Sequence, residues 1–514
     1  MSDPPSRMTN LYDALSARFP ADRSKPALAL ADGRAISYAE LDAASARYAN
    51  LLRRLGVAPG DRVMVQVDKS QDVVALYLGC LRAGAVYLPL NTAYTKGEVA
   101  YFAGDAEPAL AVCQPARLAE IEAVAGPAGA KAVLTLGAAG EGTLAEAAAR
   151  EPDGFETLPR EPDDLAAILY TSGTTGRSKG AMLSHDNLLS NALTLHDYWG
   201  FRPDDVLLHA LPIFHTHGLF VATNCALLAG ATMLFLPKFD AAEVLRLLPR
   251  ASVMMGVPTF YTRLLEQAGL TAEACAHMRL FISGSAPLLA DTFEQFRQRT
   301  GHTILERYGM TETNMNTSNP LDGERRAGTV GFPLPGVSLR VVGEDARPLP
   351  QGEIGVIEVK GPNVFKGYWR MPEKTAAEFR ADGFFITGDV GVVDDRGYVS
   401  IVGRAKDLII TGGFNVYPKE VESLIDAIPG VEESAVIGLP HPDFGEAVAA
   451  VVKMRAGAAP LDPAAIQAAL QDQLARFKQP KAVFVVAEIP RNAMGKVQKA
   501  ALREQYGTTF KTPA

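Results

Sequence analysis

Apolar and polar positions alternate along most of this chain in two rhythms. Between Tyr38 and Leu55 apolar side chains recur every three to four residues, which predicts an amphipathic helix. Arg62 to Val67 is a short apolar run and predicts a strand. Asp72 to Arg82 then predicts a helix, and Ala85 to Leu88 another short strand. Such alternation predicts a layered α/β architecture with mixed or partly parallel sheets. Residues 119–149, rich in Ala and Gly, predict surface helices and loops. The texture changes after Phe332. Short β-like runs at Ser338 to Val342 and Val356 to Lys360 predict a β-rich subdomain, and a last run, Val399 to Val402, leads into Gly403-Arg404-Ala405-Lys406-Asp407. Beyond it, strands at Glu433 to Gly438, Ala447 to Val452 and Ala482 to Val486 and a helix at Pro463 to Leu474 suffice for a small α+β domain. The expected division is a large N-terminal domain, 1–405, and a small C-terminal domain, 406–514.

One stretch admits two readings. Leu219 to Leu236 carries no charge and is long enough to cross a bilayer. Thr223, Asn224, Gly230 and Thr232 interrupt it, and Ala229-Gly230 splits it into a helix-like half and a strand-like half, Thr232 to Leu236. A buried helix–strand pair is the reading those breakers favour.

Composition narrows the function. A chain of 514 residues exceeds the usual span of one domain, about 50–250 residues. With 48% hydrophobic and 21% charged residues, wholesale disorder is excluded. A net charge of −8 argues against nucleic acid or an anionic membrane as a general partner, though a few local cations can still hold a small anion. The four cysteines, Cys80, Cys113, Cys225 and Cys275, form no CxxC pair, which argues against a disulfide framework or structural zinc and suits a reducing cytoplasm. Residues 1–11 lack the apolar core of a secretory signal.

The segment richest in chemistry follows the apolar run Ile168-Leu169-Tyr170. It reads Thr171-Ser172-Gly173-Thr174-Thr175-Gly176-Arg177-Ser178-Lys179-Gly180. Glycines let backbone N–H groups approach phosphate oxygens, the hydroxyls add donors, and Lys179 adds a positive charge. It is not a Walker loop, because Lys179 follows Ser178 and precedes Gly180. On its residues alone it is an anion-binding loop or a plain turn.

The run from Tyr170 to His185 resembles the signature loop of the adenylate-forming (ANL) superfamily, which includes acyl-CoA synthetases, luciferases and adenylation domains. Ser283-Gly-Ser-Ala-Pro287, Glu306-Arg-Tyr-Gly-Met-Thr-Glu312, Phe385-Ile-Thr-Gly-Asp389, Gly403-Arg-Ala-Lys-Asp407 and Pro490-Arg-Asn-Ala-Met-Gly-Lys496 match in order and spacing. Within the family, the stretches His209 to Leu219, Val257 to Arg263 and Glu306 to Pro320 are most similar to the malonyl-CoA synthetase branch.

The resemblance implies ATP, Mg²⁺ and coenzyme A. A carboxylate displaces pyrophosphate from ATP to give an acyl-adenylate, and the CoA thiol then displaces AMP. Thr171, Ser172, Gly173, Thr174, Thr175, Gly176 and Lys179 would hold the β- and γ-phosphates, with Thr175 and Glu312 toward Mg²⁺. Gly284, Ser285 and Ala286 would line the adenine and Tyr308 would stack on it. Glu306, Arg307, Gly309 and Thr311 of the same motif would complete the nucleotide site. Asp389, with Arg404, would take the ribose. Lys496 would bridge the attacking carboxylate and the α-phosphate, with Glu312 as the other catalytic group. A mobile small domain hinged at Lys406 would bring Gly412, Gly413 and Phe414 to CoA. A lysine acetyltransferase and deacetylase acting on Lys496 would be regulatory partners, since acetylation removes its charge.

Malonate needs a partner for its second carboxylate. Arg263 is the expected bidentate partner, with His215 and Ser285 as further donors and Thr216 and Met315 against the α-carbon. Without the resemblance, Arg263 is a helix-surface arginine near Glu266, and Lys496 a solvated charge. A medium-chain or aryl acyl-CoA synthetase and a stand-alone enzyme loading a carrier protein are the alternatives. His185 is expected to cap a helix or pack near the loop. His209 and His217 have no metal-like company, and no zinc site is expected.

Overall fold

The computed structural model of the chain describes residues 10–171, 178–411, 414–458, 461–471, 473–492 and 495–510. The amphipathic run at 38–55 forms the helix Tyr38–Arg54, opened by a capping box between Ser37 and Glu40. It packs on the helix Gln71–Ala83, which the left-handed Gly84 ends at φ 68°. Gln71–Ala83 packs on the Val86–Pro89 strand of a six-stranded sheet. Its order is Ala132–Thr135, Leu110–Cys113, Arg62–Gln66, Val86–Pro89, β1 (Leu165–Thr171) and β2 (Lys179–Ser184). All its neighbours are parallel except β1 and β2.

A second sheet has nine strands. Its parallel centre runs Thr232–Phe235, Val206–His209, Val253–Gly256, β3 (Leu280–Ser283) and β4 (Leu305–Met310). Beyond β4 it continues antiparallel through β5 (Asn314–Ser318). The loops that follow the parallel strands all leave from one edge, where α/β sheets place their ligands. A third, antiparallel sheet carries β6 (Phe385–Val393) and β7 (Val399–Arg404). After Arg404 comes a short 3₁₀ turn, Ala405–Asp407. The tail forms a five-stranded sheet around Val431–His441 and Gly445–Met454, with hydrophobic clusters of its own.

The α/β alternation, the β-rich stretch after Phe332 and the tail strands follow the sequence pattern. Leu219 to Leu236 is the expected buried pair, in more detail. A π-helical segment, His217–Thr223, passes into the helix Asn224–Ala229, Gly230 turns the chain at φ 64°, and Thr232–Phe235 joins the second sheet. No helix among the described residues is long and apolar enough to cross a membrane. One expectation needs correction. Residues 119–149 contain the strand Ala132–Thr135 as well as helices and loops. Its register beside Leu110–Cys113, and mutual hydrogen bonds between Thr135 and Thr143, outweigh the Ala/Gly-rich composition. The tail helix is also shorter than the sequence predicts, ending at Leu470.

Candidate active site

The β6–β7 ladder sets Asp389 opposite Arg404. Arg404 Nε lies 2.9 Å from Asp389 Oδ1, and the Tyr308 hydroxyl donates to Oδ2 at 2.6 Å. Asp389 is 3% exposed. Its charge is the main reason the Arg404 pKa is raised, while burial, with Asp389 adding to it, pushes the Tyr308 phenol far up so that it stays a donor. Beside this pair the Glu312 carboxylate is buried. The Tyr368 hydroxyl lies 3.1 Å from Glu312 Oε1 and 2.6 Å from Glu378 Oε2. Burial raises the Glu312 pKa, against the pull of Tyr368, Lys179 and Arg404.

Lys179 is tethered at the start of β2. Its ammonium sits 3.1 Å from Glu378 Oε1 and 3.9 Å from the centre of the Tyr368 ring. Thr171 ends β1 opposite Lys179, and its hydroxyl donates to the Lys179 carbonyl at 3.4 Å. Ser172, Gly173, Thr174, Thr175 and Gly176 lie outside the described residues, as do Gly412 and Gly413.

Gly284, Ser285 and Ala286 follow β3. The loop is pinned where Leu288 N–H donates to Glu306 Oε1 at 2.9 Å. Burial pushes the Glu306 carboxyl up to about 7, with Lys419 working against it. Ser285 is left-handed at φ 72°, a strained conformation for a residue with a Cβ. Gly309 and Thr311 lie at the β4–β5 turn, where a Cβ on Gly309 would come within 2.7 Å of the Met315 methyl. Met315 is buried and its backbone is gripped at both polar groups by the Asn191 amide.

Ser283 pairs with Glu306 across β3 and β4, so Arg307 stands over Gly284. The Arg307 guanidinium is buried, and its Nε and Nη2 have no hydrogen-bond partner. Burial lowers its pKa to about 9. His215 Nδ1, Thr216 Oγ1, His217 Nε2 and Ser283 Oγ are likewise buried without partners. Interiors pair the great majority of their polar atoms, so a cluster of orphans marks a place built for a polar ligand. Burial, with Lys496 and Arg307, lowers the His215 pKa to about 3, so the ring is neutral.

Lys496 comes to the same place from the tail. Its backbone N–H donates to Asn492 Oδ1 at 3.0 Å, and the preceding Gly495 is left-handed at φ 73°. The side chain reaches solvent, yet protein surrounds its ammonium closely enough that burial, with Arg404, lowers its pKa against Asp389 and Glu312. Gly495 packs beside Thr259 of the helix Pro258–Leu265. Arg263 is one turn further along that helix, on the same face, exposed and without an ion pair among the described residues. The surface pair with Glu266 is not formed.

Two further expected residues are the hinge residue Lys406 and Phe414 of the expected CoA loop. Lys406 occupies the 3₁₀ turn, where burial and Arg404 lower its pKa to about 8. Phe414 is 56% exposed and stacks on Phe477 at 4.7 Å. His185 opens the helix capped by Ser184, and its Nδ1 accepts from Leu11 N–H at 3.0 Å. His209 Nδ1 lies 2.9 Å from the buried Lys69 ammonium.

The geometry thus brings Glu312, Arg307, Tyr308, Asp389, Arg404, His215 and Lys496 near one another, with Ser285 on the loop beside Gly284 and Arg307. Sequence reasoning missed Tyr368, Glu378 and Ser283, and it gave His217 no part. Only the position of Ser283, at the head of a matched motif, carried any signal.

The AMP-binding enzyme family model matches residues 16–369, and the AMP-binding enzyme C-terminal domain model matches 420–496. Among solved structures, ATP-bound MatB from Rhodopseudomonas palustris is 61% identical with a TM-score of 0.96, covering 98% of this chain and 100% of that one. The apo form of the same protein superposes at 0.86. A malonate–CoA ligase of Arabidopsis thaliana is 34% identical over 97% of this chain and 90% of its own length. A feruloyl-CoA synthase of an Amycolatopsis species is 36% identical over 92% and 95%. With a family model over more than half its length and these relatives along nearly all of it, the chain belongs to the AMP-binding enzyme family.

Proposed function

We propose that this enzyme ligates malonate to coenzyme A through a malonyl-adenylate, releasing pyrophosphate and then AMP, and that methylmalonate is a second substrate. The observation that carries the reading is the buried Arg307 guanidinium, whose Nε and Nη2 lack partners, amid other orphaned polar atoms. A monocarboxylate would leave that cation unpaired, which typically costs about 2–5 kcal/mol. The non-reacting carboxylate of malonate would pair with it, while the exposed Arg263 closes the rim. Thr216 and Met315 would wall the α-carbon.

In the first step a malonate oxygen attacks the α-phosphorus and the bond to pyrophosphate breaks. Lys496 is the cation available between the two anions. Asp389, aligned by Tyr308 and Arg404, would accept from the ribose hydroxyls. Ser285 and Ala286 would line the adenine, and Glu306 holds their loop in place. Lys179 is better read as the clamp at the foot of the phosphate loop, given its tether to Glu378. Glu312, a buried hard oxygen donor with a raised pKa, fits Mg²⁺. The ion, held by Glu312 and Thr175, would supply charge screening on the phosphates.

We assign residues 1–405 to the large domain, 406–514 to the small one, and the hinge to Lys406. Phe414 faces solvent here, so its loop would reach CoA only after the small domain turns. All four cysteines are free and buried, which suits a reducing cytoplasm. Acetylation of Lys496 would switch off the first step. The direct test is ATP–pyrophosphate exchange. It should depend on malonate, and exchange driven equally by acetate would refute the diacid reading.

A further inference from the structure

Lys496 reaches the site on a long, flexible side chain. Its four-carbon stem places the ammonium only as well as the backbone places the Cα. The loop that carries it, from Pro490 to Gln498, is closed on itself. Gln498 N–H donates to the Pro490 carbonyl at 2.8 Å, and Asn492 N–H to the Lys496 carbonyl at 2.9 Å. Gly495 N–H donates to the Asn492 carbonyl at 2.9 Å, and Arg491 faces Val497 in an antiparallel bridge. These bonds shape the loop. They do not fix where it stands on the small domain.

Two ion pairs fix that. At the entry, the Arg491 guanidinium donates through Nη1 to the Gly495 carbonyl and through Nη2 to the Glu433 carboxylate. At the exit, the Lys499 ammonium lies 2.6 Å from Glu422 Oε1, which also accepts from Val436 N–H at 2.9 Å. Glu433 and Val436 both belong to the strand Val431–His441, which is laddered to Gly445–Met454 in the tail sheet. The loop therefore stands on one strand at two points. The Arg491 and Glu433 side chains are 28% and 16% exposed, so their pair is partly shielded from water, where charge-assisted bonds are strong.

Only the entry pair also holds the residue beside Lys496. Gly495 is left-handed at φ 73°, and an added Cβ would lie 3.5 Å from Thr259 Oγ1 of the large domain. The Gly495 backbone thus sits between the guanidinium fork and the helix Pro258–Leu265. A planar fork can hold a carbonyl and a carboxylate at once in a fixed geometry.

We propose that Arg491 is a positioning residue for the adenylation step. By tying the Gly495 carbonyl to Glu433, it sets the backbone from which Lys496 reaches the reacting anions. Arg491 and Glu433 both lie in the small domain, so the tie travels with that domain when it turns. Arg491 then has no part in the thioester step.

The inference rests on the reading of Lys496 given above. The experiment compares two half-reactions in the wild type, Arg491→Met, Glu433→Ala and Lys496→Ala. One is malonate-dependent ATP–pyrophosphate exchange, and the other is thioester formation from supplied malonyl-adenylate and CoA. A catalytic group misplaced by about 1 Å can cost about 10²-fold, so Arg491→Met should lower kcat for exchange about 10- to 100-fold. Its KM values for ATP and malonate should stay within about threefold of wild type, because the groups that bind them are untouched. Thioester formation should stay near wild type. Glu433→Ala should show the same split. Wild-type exchange in Arg491→Met would overturn the inference. So would equal loss of both half-reactions, since Arg491 would then serve the fold of the small domain. Wild-type exchange in Glu433→Ala beside an impaired Arg491→Met would overturn the tie to the strand. Equal loss of both half-reactions in Lys496→Ala would overturn the reading of Lys496, and this inference with it.

Discussion

Arg307 and Gly284 share one space. A Cβ on Gly284 would stand 2.4 Å from the Arg307 guanidinium carbon, so the guanidinium can lie where it does only because residue 284 has no side chain. Gly284→Ala should push the guanidinium aside at little cost to the fold, because the displaced atoms end a flexible chain. The malonate KM should rise at least about 10-fold, with the ATP KM changed less. Kinetics on both substrates check this.

An unpaired buried cation is a burden on the ligand-free protein. Burying a charge costs several kcal/mol unless a partner offsets it, so replacing it by an apolar residue of similar length should stabilise the free protein. Arg307→Met should therefore raise the Tm of the free enzyme while abolishing selectivity for malonate. A fall in Tm would mean that the guanidinium has partners in solution.

Glu306 makes stability depend on pH. Its folded pKa, about 7, lies above the ordinary 4.5, so the fold favours the protonated form. That contribution is full below about pH 4.5, falls as pH rises toward 7, and is then gone; at 1.36 kcal/mol per pKa unit it amounts to about 3 kcal/mol. Glu306→Gln keeps the oxygen that accepts from Leu288. It should flatten the fall, leaving the variant more stable than wild type at pH 8 and similar at pH 4.5. Parallel unfolding curves at both pH values would contradict the assignment.

Lys496 should serve one half-reaction only. Lys496→Ala should abolish acyl-adenylate formation yet largely preserve thioester formation from supplied acyl-adenylate and CoA. Equal loss of both steps would remove Lys496 from its proposed position between the anions.

Local signals in the chain carried far. The helix Tyr38–Arg54 has its capping box written at Ser37 and Glu40, and the π-helix-to-strand passage at 217–235 shows in its breakers. The strand Ala132–Thr135 did not show, because only its neighbour Leu110–Cys113 turns an Ala/Gly-rich run into a ladder. The same limit applied at the site. Motif residues such as Asp389 and Lys496 were legible one by one. Their partners were not. Glu378 lies 199 residues from Lys179, and Tyr368 lies 56 from Glu312. Arg307 read as part of a nucleotide motif. Its place over Gly284, where its Nε and Nη2 find no hydrogen-bond partner among the described residues, comes from a strand register that no local pattern reveals.

The most direct measurement is CoA-thioester formation with ATP, Mg²⁺ and CoA across malonate, methylmalonate, succinate, acetate, hexanoate and coumarate. Malonate should lead by kcat/KM, methylmalonate should follow, and acetate, hexanoate and coumarate should trail far behind. A preference for hexanoate or coumarate would keep the adenylate chemistry and contradict a pocket built around Arg307 for a second carboxylate.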